Sequence, residues 1–400
     1  VERYVRLYVA AEKRGESFDR AMLYALQGVL LSPHFLFHVE EENPGVEVRP
    51  LPQFALASRL SYFLWGSMPD EVLLDLAAKG RLQDEAVLRG QVTRMLQDAR
   101  SREFAEQFVE QWLGTRELGR DIRPDATRFP AYQDAELQGA MRYEPVLFFQ
   151  EILTGNHSLL YLIDAPFTFL TDKLARHYGL AVKGTSQQPK RFDLPAGSHR
   201  GGVLGMSAVL AVSSMPTRTS PVLRGKWVLD AMLGTPPPPP PPNVPELKEG
   251  EAGAAPLTMR ERLNRHRADP ACAGCHSRID PLGFALENYD VLGRWRVEDA
   301  GQPVDVSGVL PDGRAIQGPA ELKQVLLERK DLFARNLAAK MLGYALGRGL
   351  TLEDQCTVEQ LVAALKEGGY ESRRLVDGIV LSVPFRQQAG AARERVYHRK

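Results

Sequence analysis

Cys272 and Cys275 stand three residues apart and His276 follows directly, in the run Cys272-Ala273-Gly274-Cys275-His276. Residues three apart on a helical turn face the same way, so both thiols can reach one edge of a single flat group. The imidazole that comes next then swings beneath it. C-x-x-C-H is the pattern of covalent haem attachment, in which two thiols add to the vinyl groups and the histidine binds iron as proximal ligand. Two other chemistries use the same residue types. Structural zinc takes four ligands, usually from paired knuckles, and Cys356 is the only other cysteine, with no paired cysteine beside it. A thioredoxin-type dithiol sits at the end of a strand in a βαβ setting. This pair instead follows a charged helical stretch, Arg260-Glu261-Arg262-Leu263-Asn264-Arg265-His266-Arg267. Those contexts favour haem c, with its iron on His276 and its anchors on Cys272 and Cys275; zinc and an unmetallated dithiol stay as alternatives.

Other residues are placed to serve such a group. The polar loop Ser213 to Pro221 gathers hydroxyls, Met215 and Arg218 just upstream, and Arg224 follows on the next helix. Arg218 and Arg224 are candidate partners for haem propionates, carboxylates that guanidinium binds bidentately; ordinary capping and surface pairing are the competing roles. Met215 and Met341 are candidate distal iron ligands, and a methionine there raises the potential and favours electron transfer. His266 is close enough in sequence to reach a propionate. The stretch after the motif, around Asp280 to Leu282, is expected to offer a backbone carbonyl to the second ring nitrogen of His276. Phe284, Leu286, Tyr289 and Trp295 are candidate walls for a porphyrin. Glu287, Asn288 and Asp290 match no calcium-loop spacing. His34 and His38, four apart, read as structural imidazoles rather than a metal pair.

The elements that must position these residues are mostly helices. Phe18 to Leu31, Gln53 to Trp65, Asp84 to Leu96, Ser101 to Leu113 and Asp134 to Leu153 carry apolar residues at helical spacing. Ser67 is the expected cap of the helix that follows Trp65, with Pro69 in its first turn. Pro145 predicts a kink or break near Glu144. Ser220 caps and Pro221 opens the helix before the motif. Pro236 to Pro242 is an unbroken proline run, a polyproline II spacer of roughly 22 Å. Val304 to Leu310 and Arg314 to Ile316 read as a hairpin around Pro311-Asp312-Gly313. The fold class is mainly α: a helical N-terminal body plus a cytochrome c-like lobe with a small β-hairpin. The segments are 1–50, an N-terminal helical piece; 51–200, the helical body; 201–320, the haem lobe with the 236–242 spacer; 321–386, a C-terminal helical domain; and 387–400, a disordered tail. The main boundary is expected at the proline run.

With 400 residues, 44% apolar and 25% charged, the composition is that of an ordinary globular chain. Its formal net charge of zero gives no bulk attraction for nucleic acid or an anionic membrane. No apolar run reaches the roughly 20 residues of a membrane span. The chain opens Val1-Glu2-Arg3-Tyr4, without a methionine or signal peptide, and reads as a processed or trimmed piece. Haem c is attached outside the cytoplasm, so a leader or membrane anchor ahead of Val1 is implied, with a periplasmic or extracellular location.

Several long stretches together resemble the planctomycete-type cytochrome-like multidomain family, built from consecutive domains of unknown function. They are Leu56-Ala57-Ser58-Arg59-Leu60-Ser61-Tyr62-Phe63-Leu64-Trp65, Thr217 to Trp227, the proline run, His266-Arg267, Cys272 to His276, Ile279 to Asn288 and Tyr344-Ala345-Leu346-Gly347-Arg348. The resemblance spans about residues 20 to 385 and implies a secreted or periplasmic protein with one c-type haem. The expected function is single-electron transfer to a redox partner protein. A haem enzyme of peroxidase or oxidase type with an open iron site is one rival. A binding or assembly subunit with structural haem is the other, and the amount of scaffold outside the lobe keeps both open.

Overall fold

The computed structural model describes residues 1–37, 48–182, 186–239, 258–267, 270–299 and 301–388. Helices dominate, and the named strands form only short antiparallel pairs. The expected mainly α class is therefore the observed one. The hairpin pairs Ser307–Val309 with Ala315–Gln317, around the turn expected for it. No helix among the described residues is long and apolar enough to cross a membrane.

Two compact units form. In the smaller, helix Phe18–Leu30 packs on helix Glu2–Glu12, and the Ser17 hydroxyl caps the former by accepting the Arg20 N–H. The same unit holds a two-stranded pair, Arg49–Pro50 with Gln387–Gln388. That pairing corrects the expected tail at its first two residues, since ladder hydrogen bonds order them; residues 389–400 lie outside the described residues.

The larger unit, Leu56–Arg386, has one core. The rings of Phe63, Phe104, Phe108, Phe149 and Tyr344 pack together at its centre. Buried polar ties join distant segments around them. The Trp112 indole donates to the Ala231 carbonyl at 2.8 Å and the Trp227 indole to Leu113 at 3.0 Å. Asn336 donates to Asp230 and Ala231, Ser372 to Ile152, and Lys323 meets Asp164 at 2.6 Å. The expected segments 51–200, 201–320 and 321–386 are thus parts of one body, and the division falls near residues 55 and 386 instead of at the prolines. The physical reason is burial: each segment covers apolar surface that the others expose. Of the proline run, residues 240–242 lie outside the described residues.

Two local expectations are corrected. Helix Ala135–Thr154 continues through Pro145 without a break, with Glu144, Pro145 and Val146 buried. Asp70, rather than Ser67, caps helix Glu71–Ala78 by accepting the Leu73 N–H at 3.0 Å, and Arg94 holds the capping carboxylate at 2.7 Å.

Candidate functional site

Helix Pro270–Phe284 carries both cysteines and the histidine. Its C-terminal half is clamped at backbone level. It crosses helix Pro221–Trp227 where Gly225 lies against the Ile279 carbonyl and Gly283 against the Pro221 carbonyl, while Gly308 of the hairpin lies against Pro281. A Cβ at any of these positions would overlap the opposing atoms. Ser220 caps the crossing helix with its hydroxyl on the Leu223 N–H, and Pro221 opens it, as the sequence predicts. The clamp fixes where the motif stands.

Cys272 and Cys275 are free thiols and partly exposed. The His276 side chain is 12% exposed, and its Nδ1 lies 2.8 Å from Asp280 Oδ1, one helical turn on. A carboxylate only accepts, so Nδ1–H donates, and such an imidazole carries its lone pair on Nε2. This corrects the expected backbone partner. The helix runs on through Asp280 and Leu282, the Pro281 carbonyl accepts the Ala285 N–H, and the Asp280 side chain reaches back instead. Asp280 is buried, and its Oδ2 accepts no hydrogen bond; the Arg267 guanidinium stands 3.9 Å from that oxygen. Two thiols and an imidazole so arranged can form two thioether bonds and one metal bond. Among the described residues, no group of three or more histidine, cysteine, aspartate and glutamate side chains converges as a metal site.

A cleft of about 560 Å³ opens beside Asp280. Arg260 and Arg267 stand on one side, and Ser307, Val309, Ile316 and Glu321 line others. Arg260 lies over the Phe284 ring, 3.8 Å from its centroid, and pairs with Asp305.

The other sequence candidates are dispersed. Arg224 is wholly buried; it donates to the carbonyls of Leu286, Tyr289 and Asp290, to the Ser214 hydroxyl and to the Glu287 carboxylate at 3.0 Å. Burial pushes its pKa down while Glu287 holds it up. Arg224 as a propionate partner is corrected: the fold encloses its guanidinium and gives it five acceptors. Glu287 also takes the Thr219 hydroxyl at 2.6 Å and Arg296 at 3.1 Å, and Asp290 caps a turn through the N–H groups of Leu292 and Arg294. These acids are tied within the fold. Arg218 is half-buried and donates to the Thr219 carbonyl. Met215 is 40% exposed in its loop. Met341 is fully buried on helix Lys330–Leu346, whose main partners are helix Gln355–Glu367 and the π-helix Val228–Met232 rather than the motif helix. Leu286 and Tyr289 are core residues: the Tyr289 ring meets Trp295 edge to face, its hydroxyl donates to the His199 carbonyl, and burial pushes its pKa to about 12. Phe284 meets the Arg260 guanidinium, which lines the cleft. The His266 side chain and His38 lie outside the described residues. Sequence reasoning missed Asp280 as a side-chain partner, although the four-residue spacing from His276 was there to read.

Four family descriptions match the chain in succession, each a protein of unknown function. They are DUF1595 over residues 1–40, DUF1592 over 51–180, DUF1588 over 200–299 and DUF1585 over 312–385. The chain belongs to the planctomycete-type multidomain family. No curated protein and no solved structure matches it. In this planctomycete-type chain the motif lies within the DUF1588 segment, and the cleft beside Asp280 combines DUF1588 residues with Ala315, Ile316 and Glu321 of the DUF1585 segment.

Proposed function

We propose that this chain is a c-type cytochrome-like protein that passes single electrons to a redox partner outside the cytoplasm. The observation that carries the reading is one helical turn: two free, partly exposed thiols followed by an imidazole whose Nδ1 proton is held by a carboxylate. That donor set fits a covalently held haem. Cys272 and Cys275 would supply the thioethers and His276 Nε2 the iron bond. When bound, the group supplies a one-electron iron couple.

The chain's own residues do the rest. Asp280 keeps the proton on Nδ1 and fixes the plane of the imidazole. The Gly225, Gly283 and Gly308 contacts hold the C-terminal half of the helix against its neighbours. Arg218 and Met215 stay as candidate propionate and iron partners in the loop upstream. Attachment outside the cytoplasm implies export of the chain.

The test is maturation. The chain is exported with a leader into a cell expressing a haem c assembly system, and the purified protein is extracted with acidified acetone. Haem resists extraction and the intact mass rises by one haem in the wild type. Cys272→Ala and Cys275→Ala lose the doubly bonded species, and His276→Ala keeps the adduct with an altered spectrum. A wild-type chain that folds but carries no covalent haem overturns the reading and returns the pair to zinc or dithiol chemistry.

A further inference from the structure

Covalent attachment through the motif requires Cys272, Cys275 and His276, but it does not require a buried carboxylate one turn later. We propose that Asp280 is the positioning residue that sets the potential of the group held by His276, placing it at the low end for a histidine-ligated centre. This rests on the haem reading above.

The geometry is direct. Asp280 Oδ1 lies 2.8 Å from His276 Nδ1, a charge-assisted hydrogen-bond length. Asp280 is 1% exposed, and low local dielectric strengthens such a bond. Among the described residues its other oxygen accepts no hydrogen bond, so no second donor among them draws density away from the Nδ1–H. The carboxylate pulls that proton toward itself and makes Nε2 a stronger donor, as carboxylate partners do for histidine ligands generally. A more basic ligand and a nearby buried anion both stabilise the more positive oxidised state. Both effects lower the potential.

Arg267 acts in the opposite sense, more weakly. Its guanidinium is 3.9 Å from Oδ2, beyond hydrogen-bond length, and 34% exposed, so solvent screens it. It makes the buried anion tolerable without neutralising it. The backbone contacts of the helix crossing at Gly225 and Gly283 hold this turn of the helix in place, which is what a potential-setting contact needs.

The test uses the full chain. In the haem-loaded protein, Asp280→Asn raises the midpoint potential by at least about 59 mV, a tenfold change in the one-electron ratio. Asp280→Glu, which keeps the charge and moves it by one methylene, gives a smaller rise and stands in if the asparagine variant fails to fold. In unloaded protein with labelled histidine, the His276 Nδ1 proton resonates downfield and moves upfield in either variant. Haem-loaded, folded variants with an unchanged potential overturn the inference and leave the haem reading standing. A wild type without covalent haem sinks both.

Discussion

Two buried acids in the same body have different neighbours. Glu287 has two guanidiniums, Arg224 and Arg296, on its carboxylate. Glu144 has none within ion-pair distance; it takes hydroxyl hydrogen bonds from Tyr178 at 2.5 Å and Thr168 at 2.8 Å. Burial pushes the Glu144 pKa from 4.5 to about 7, although both hydroxyls and Arg200 pull it down. Folding therefore favours the protonated acid. The contribution of Glu144 to stability is full below pH 4.5, is lost as the pH rises through about 7 and is level above, a change on the order of 3 kcal/mol. Glu144→Gln flattens this dependence, read from urea midpoints at about pH 5 and about pH 8. Removing a charge from the other site does the reverse of relieving it. Arg224→Met leaves Glu287 buried beside one cation and removes the guanidinium donor from three carbonyls, of which those of Leu286 and Asp290 keep a backbone N–H. A loss of about 3–5 kcal/mol is expected, measured by denaturant unfolding.

At the scale of elements, the motif helix is placed by the absence of side chains. Gly225 and Gly283 let two helix backbones touch, and Gly308 lets the hairpin close on Pro281. Gly225→Ala and Gly283→Ala each push the helices apart and cost about 1–3 kcal/mol or more. Gly274→Ala, between the cysteines, meets nothing within 4 Å and is neutral or slightly stabilising by helix propensity. Thermal unfolding of the three variants separates these outcomes; equal losses would mean that propensity, not the crossing, governs the helix. The sequence showed the helix start at Ser220-Pro221, the hairpin turn and the motif. It did not show the crossing, because a glycine's role depends on what stands opposite it.

At the scale of the molecule, the DUF1592, DUF1588 and DUF1585 segments fold as one body. The cluster of Tyr132, Leu137, Met141, Leu174 and Tyr178 closes only with Val291 and Leu292 from beyond the motif. His177 adds a 2.9 Å contact to the Leu292 carbonyl, and Ser207 a 2.6 Å hydrogen bond to the same oxygen. The unit Leu56–Arg386 is therefore expected to unfold in a single calorimetric transition. An excised 201–320 fragment, the lobe that the sequence alone outlines, is expected to lack near-ultraviolet circular dichroism. A fragment with native-like tertiary signal would mean that the lobe holds its own core.

What the sequence determined by itself is the chemistry and the local folding. Two thiols and an imidazole at fixed spacing, the cap at Ser220, and apolar periodicity in each helix are properties of neighbouring residues, and neighbours are what a sequence displays. The tertiary structure decided which charges are enclosed and which face a cleft. Arg224 reads like Arg218 in the chain, yet one is walled in by Leu286, Glu287 and Tyr289 and the other is only half-buried. The partner of His276 is Asp280 rather than a loop carbonyl because the helix does not stop at Pro281, and it does not stop because packing against Gly308 and Pro221 holds that turn in place.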